Sequence, residues 1–217
     1  MVVAARFDLG ARTLTRDEER AIAGRLAEGA LVIYPTDTLY ALGCLALEGR
    51  AIRSLREAKG REEDKPLPVI VADVFQARSM AAIWSEAARC LAEAFWPGPL
   101  TLVVPAAASL PPELLAGAPG VALRVPASAS ARLLARIAGP LVSTSANLAG
   151  QPVCQTVESA MAAFPSAGLV FDSGPLEGAP STIVDLTGGE GSIHVLREGR
   201  IGRGPIEEAL RLSRRQT

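Results

Sequence analysis

Residues 139–152 read GPLVSTSANLAGQP. The apolar run 140–144 has strand character and passes straight into hydroxyl side chains, the amide of Asn147 and a Gly-Gln-Pro turn, after which Thr156 caps a helix over 156–164. Small donors and acceptors set just past a buried strand suit a polyanionic or multiply hydroxylated ligand. Strand, polar loop and helix in this order also set the fold class, a mixture of α and β.

Working outward, the same alternation recurs. Thr15 with Glu18 makes a capping box and Gly29 a stop, which predicts a helix over 16–28, and ALVIY at 30–34 then reads as a buried strand. Further helices are expected at about 50–58, 73–81, 85–95, 128–138 and 205–213, with Asp73, Ser85 and Ser128 as caps and Pro205 in a first turn. Strands are expected at 67–72, 100–104, 120–125, 168–172, 181–186 and 192–197. Strands outnumber clean strand-helix-strand crossovers, which favours a twisted mixed β-sheet flanked by helices over a purely parallel one. The Pro- and Ala-rich stretch 105–119 reads as a surface excursion within one domain.

Composition bounds the function. Of 217 residues 49% are apolar, enough for a substantial core, and 22 basic residues against 23 acidic ones give no whole-molecule argument for binding a polyanion. Three cysteines, far apart and in no C-x-x-C pair, argue against a disulfide framework or zinc site and fit a reduced, cytoplasmic setting. The N-terminus shows no sustained apolar region, and charges interrupt the chain long before a membrane span could accumulate. Neither a P-loop nor a G-x-G-x-x-G spacing occurs, and His194, the single histidine, rules against a His-based triad or metal cluster. With two Trp, two Tyr and five Phe, stacking platforms for single-stranded nucleic acid are scarce.

Four further places carry polar chemistry at the ends of apolar runs. Tyr34-Pro35-Thr36-Asp37-Thr38 is either a capped turn or a ligand loop. Lys59-Gly60-Arg61 followed by Lys65 is either a helix C-terminal cap or a phosphate clamp, with Glu62, Glu63 and Asp64 opposing an anion. Arg124, inside the apolar strand GVALRVP, must pair with a carboxylate, face solvent or hold an anion. Ser181-Thr182 and Arg197 place hydroxyls and a cation at strand boundaries.

Taken in series, YPTDTLYALG, KGR-x3-K, FWPGPLTLVV, VALRVP and PLVSTSANLAGQP resemble the YrdC-like family of threonylcarbamoyl-AMP synthases, from about residue 15 to 200. The resemblance implies a single YrdC-like domain over 1–217, of the short form, with a large concave cleft; the tail at about 213–217 reads as frayed from its own residues. It implies an enzyme, a nucleotidyltransferase that combines L-threonine, bicarbonate and ATP into L-threonylcarbamoyl-adenylate and pyrophosphate for threonylcarbamoyladenosine in ANN-decoding tRNAs. Mg2+ would accompany the ATP, with metal ligands unknown, and tRNA threonylcarbamoyl-transfer machinery would take the product. By the same resemblance Lys59, Arg61, Lys65, Ser145, Asn147 and Arg197 hold ATP, with Lys59, Arg61, Ser145 and Asn147 catalytic, while Thr36, Thr38, Arg124, Ser143 and Ser181 hold threonine. The acidic triplet after Lys-x-Arg departs from relatives that carry proline there. A double-stranded RNA-binding module, or a paralogue using another carbamoyl or acyl donor, are the competing functions.

Overall fold

The computed structural model describes residues 5–8, 13–60, 65–148, 150–189 and 192–213. Along the chain it runs β1 (Ala5–Asp8), α1 (Arg16–Ala27), β2 (Val32–Pro35), β3 (Tyr40–Gly43), α2 (Gly49–Lys59), β4 (Val69–Ile70), α3 (Val74–Ser79), α4 (Glu86–Phe95), β5 (Leu100–Pro105) and α5 (Pro112–Leu115). It continues through β6 (Gly120–Arg124), α6 (Ala129–Ala138), β7 (Leu141–Val142), β8 (Thr144–Ser145), α7 (Val157–Ala163), β9 (Leu169–Asp172), β10 (Thr182–Asp185), β11 (His194–Arg197) and α8 (Arg203–Ser213).

Helix starts follow the capping chemistry read from the sequence. Thr15 Oγ1 accepts from the Glu18 amide at 3.3 Å while Glu18 Oε2 accepts from the Thr15 amide at 2.9 Å, closing the capping box. Asp73, Ser85, Ser128 and Thr156 likewise accept from the amides of Gln76, Ala88, Ala131 and Ser159. Pro205 sits in the first turn of α8, and Gly29, at φ +94°, follows the end of α1.

The mixed β structure is divided into two hydrogen-bonded sheets rather than forming one. The first has five strands in the order β1-β9-β2-β3-β8, and the second has six in the order β11-β10-β5-β6-β4-β7. Each combines parallel and antiparallel pairs; β2 and β3 form an antiparallel hairpin, and β10 runs parallel to β5. The larger apolar cluster takes Ile33 and Leu42 from the first sheet and Leu102, Val104 and Leu123 from the second. A smaller cluster around Ile22, Leu26 and Leu134 joins α1 to α6.

The run expected as one strand at 140–144 is where the division falls. On one edge it runs antiparallel along the end of β3 and beyond, with Leu141 opposite Leu45, Thr144 opposite Leu42 and Ser145 opposite Ala41. On the other edge Leu141 and Val142 pair with Ile70 and Val69, and the Ser143 amide donates to Pro68 O at 2.8 Å. One short stretch therefore has a sheet on each side, and β7 and β8 belong to different ones. The approach is close. A Cβ on Gly43 would lie 2.3 Å from the Val142 carbonyl oxygen, to which the buried Tyr34 hydroxyl donates at 3.2 Å.

Three elements were not foreseen. β1 is four residues with two charged side chains, β3 (YALG) has only two large side chains, and α5 is a single turn inside the stretch read as a surface excursion. That stretch is corrected in part, because Leu110 and Leu114 are buried in the core. The expectations for Arg61, for Glu62, Glu63 and Asp64, and for the tail from 214 onward lie outside the described residues.

Because the obstacle at Gly43 is backbone, Gly43→Ala can be accommodated only by moving the crossing strand. Overpacking of this kind costs about 2 kcal/mol, so thermal unfolding should fall by about 5 °C. An unchanged Tm would show that the two sheets are not in contact there.

Candidate functional site

Residues 36–39 form the turn of the β2–β3 hairpin. Thr36 Oγ1 donates to Leu39 O at 2.7 Å and accepts from the amides of Thr38 and Leu39 at 3.1 and 3.0 Å, so its hydroxyl is the internal hub of the turn. Thr38 Oγ1 lies 2.9 Å from it and accepts from Arg124 Nη1 at 3.3 Å. The local turn thus presents Asp37 and Thr38 outward from the hairpin and toward the second sheet.

Arg124 ends β6 in that second sheet. Nε donates to Gly98 O at 2.9 Å and Nη2 to Asp37 Oδ1 at 2.6 Å. The Arg124 and Asp37 side chains are only 9% and 15% exposed, so this ion pair joins the two sheets with little water to screen it. Desolvation pulls the Arg124 guanidinium below its ordinary value, and the Asp37 charge opposes that. Of the five N–H groups of Arg124, three have partners among the described residues, which leaves two for a ligand. Gly98 has its own constraint, since a Cβ there would meet Phe95 O at 2.3 Å, and its amide donates to Val125 O at 2.9 Å. The FWPGP segment is in this way the backbone seat of Arg124.

Ser181 stands just before β10. Its hydroxyl is 2.9 Å from that of Thr101, and its carbonyl accepts from Arg197 Nε and Nη2 at 3.1 and 2.9 Å. Arg197 is held below its ordinary value by desolvation. The segment leading to Ser181 lies against the threonine turn, because a Cβ on Gly178 would meet Thr38 O at 2.2 Å.

Lys59 ends α2 but does not cap it. It is buried, and Nζ donates to Thr144 Oγ1 at 3.1 Å and to Ser145 O at 2.5 Å, with the Phe164 ring centroid 5.8 Å away. Gly60, left-handed at φ 58°, ends the helix instead. Ser145 Oγ donates to Asn147 Oδ1 at 2.5 Å, and Asn147 Nδ2 donates to the carbonyls of Leu148 and Gln151 at 3.0 and 2.7 Å, which closes the SANLAGQP loop. Ser143, half-buried, reaches the Tyr34 hydroxyl, whose titration burial pushes well up from its ordinary value.

The structure therefore joins Thr36, Thr38 and Arg124 in one bonded group, Ser181 with Arg197 in a second, and Lys59, Ser145 and Asn147 in a third, all around the hairpin and the crossing strand. Lys65 is exposed; its carbonyl accepts from Arg56 Nη2 at 2.9 Å. Thr101 and Thr144 lie inside the quoted motifs FWPGPLTLVV and PLVSTSANLAGQP, but sequence reasoning gave neither a role of its own. Asp37 it noticed without finding its partner. Two hollows, of about 410 Å³ between β11 and α8 and about 540 Å³ between α1 and α2, are lined by none of the candidate residues. Cys44 is fully buried, and that burial pushes its thiol up to about 12.

The profile of a family described as "Telomere recombination", Sua5_yciO_yrdC, matches residues 25–199. The sequence is 38% identical over 192 residues to a Threonylcarbamoyl-AMP synthase of Pyrococcus abyssi, covering 87% of this chain and 55% of that protein. It is 39% identical over 189 residues to a Putative threonylcarbamoyl-AMP synthase of Mycobacterium tuberculosis, covering 86% of each. The chain thus spans about half the length of the Pyrococcus relative and most of the mycobacterial one. The crystal structure of P. abyssi Sua5 complexed with L-threonine superposes with a TM-score of 0.86 at 33% identity, over 96% of this chain and 61% of that one. E. coli YciO, at 23% identity and a TM-score of 0.79 over 94% of this chain and 100% of that one, shares the fold.

Removing one member of a desolvated ion pair leaves the other charge buried and uncompensated. Asp37→Ala should therefore lower stability by about 3 kcal/mol in denaturant titration. A loss below about 1 kcal/mol would mean that water screens the pair as it does at an open surface.

Proposed function

The chain belongs to the Sua5–YciO–YrdC family, and on that footing we propose that it is a threonylcarbamoyl-AMP synthase, a nucleotidyltransferase acting as one domain on L-threonine, bicarbonate and ATP. The observation that carries this reading is Arg124, held by Asp37 beside Thr38 with N–H groups to spare, in a chain 33% identical to a protein crystallised with L-threonine. A guanidinium fixed in this way is suited to a bidentate grip on an amino-acid carboxylate.

The residue types fit the chemistry. The threonine amine attacks the carbon of bicarbonate and water leaves, giving a carbamate. A carbamate oxygen then attacks the α-phosphorus of ATP in line, the bond to the bridging oxygen breaks, and pyrophosphate departs with the electron pair. Negative charge grows on the phosphates, so the enzyme needs positioned cations and neutral donors more than a nucleophile. Lys59, Arg61, Lys65 and Arg197 supply the cations, and Ser145 and Asn147 the donors. Thr36, Thr38, Ser143 and Ser181 surround the threonine with Arg124, Thr36 acting through the shape of its turn. The bonds that Lys59, Ser145 and Asn147 make to one another preset their orientation before the nucleotide arrives.

Among the described residues no group of three or more His, Cys, Asp or Glu side chains is disposed to hold a metal ion, and Asp37 is committed to Arg124. Mg2+ accompanying the ATP would supply charge neutralisation at the phosphates. Product would pass to the tRNA threonylcarbamoyl-transfer machinery in the cytoplasm.

Pyrophosphate release tests the reading. It should require both threonine and bicarbonate, and Lys59→Ala or Arg61→Ala should each slow it on the order of 100-fold or more. Unchanged release by both variants would overturn the assignment. So would salt-sensitive binding of double-stranded RNA with no consumption of ATP.

A further inference from the structure

The turn joining β11 to α8 is held by its backbone. Thr182, fully buried, accepts at Oγ1 from the amides of Gly199 and Ile201 at 2.9 and 3.1 Å and donates to Ile201 O at 2.5 Å. The Arg200 amide donates to Pro180 O at 3.1 Å. A Cβ on Gly199 would lie 2.1 Å from the same Pro180 oxygen, so the turn is pressed flat on the segment that leads into β10. The Cα of Arg200 is thereby placed without any contribution from its side chain.

That side chain reaches the other sheet. Arg200 Nη1 donates to the Asp37 carbonyl at 3.1 Å, while the Asp37 carboxylate holds Arg124. One residue of the hairpin turn is thus gripped twice, by its backbone from Arg200 and by its side chain from Arg124. Arg200 thus brings a second guanidinium to the Asp37 turn, and it is among the influences that lower Arg124, after desolvation. Both guanidinium groups would attract a ligand carboxylate arriving at this turn.

We propose that Arg200 is a positioning residue for the amino-acid substrate: by holding the Asp37 carbonyl it sets Thr38 and Arg124 for the substrate carboxylate, and its charge favours that carboxylate's entry. The inference rests on the threonylcarbamoyl-AMP synthase reading. Arg200 acts through Asp37, so its loss falls on threonine and not on phosphoryl transfer. It is exposed, and the turn that carries it is independently anchored, so removing the side chain leaves the fold in place.

Steady-state pyrophosphate release by the full chain, with Arg200→Ala and Arg200→Lys, separates the alternatives. The alanine variant should raise KM for threonine about tenfold, with kcat and KM for ATP within about twofold of the parent and Tm unchanged. The lysine variant keeps the charge and a donor, and should lose only about threefold. Equal threonine KM in parent and alanine variant would overturn the proposal, as would a parallel loss of kcat and ATP affinity or a fall in Tm of more than about 5 °C. Calorimetric titration of threonine alone reads the same ratio without turnover. A parent that binds threonine tenfold tighter than Arg200→Ala but releases no pyrophosphate would remove the enzyme assignment and uphold the role of Arg200. A parent that binds no threonine would remove both.

Discussion

The meeting of two sheets along residues 141–145 is the constraint on which the rest of this molecule depends. A strand of five residues has β3 on one edge and β4 on the other, and the Val142 carbonyl is sealed between the Tyr34 hydroxyl and the bare face of Gly43. Only glycine fits at 43, for reasons of space and not of backbone angle. Once the sheets are stitched here, the polar ends of strands from both are brought to one place: the β2–β3 turn, the end of β6, the start of β10 and the run that follows β8. Apolar side chains from both sheets fill the space behind them.

Electrostatics then sharpens what packing has gathered. Three of the cationic groups are already tied to protein oxygen: Arg124 to Gly98, Thr38 and Asp37; Arg197 to the Ser181 carbonyl; Lys59 to Thr144 and the Ser145 carbonyl. Among the described residues Arg124 and Arg197 are held mostly by neutral acceptors, with Asp37 the carboxylate bonded to Arg124. The orientation of Arg124 and Arg197, fixed by these bonds, costs little reorganisation when an anion arrives. This balance suits substrates that bring a carboxylate and several phosphate oxygens together.

How far the sequence speaks follows from which interactions are local. Helix starts are legible because a cap is a contact between residues three apart, and Thr15, Asp73, Ser85, Ser128 and Thr156 all act as their residue types dictate. β3 and α5 are illegible because YALG and PELL are too short to show a period; their partners, β2 and Leu67, define them. The split of 140–144 between two sheets is also invisible locally, since it depends on strands some 70 to 100 residues away in sequence. The ordered motifs contain most of the polar groups that the fold brings together at the candidate site. The Asp37–Arg124 pair spans 87 positions and needs the folded chain to be seen. Lys59 shows the same limit: a lysine at a helix end reads equally as a cap or a ligand, and only its inward turn onto Ser145 decides against the cap.

The central claim, that the two sheets meet to form one substrate site, is tested most directly by a crystal structure of this chain with L-threonine and a nonhydrolysable ATP analogue. The account predicts the threonine carboxylate on Arg124 beside Thr38, and the phosphates among Lys59, Ser145 and Arg197. Threonine or nucleotide seated instead in the groove between β11 and α8, with the Arg124 group left bare, would contradict it.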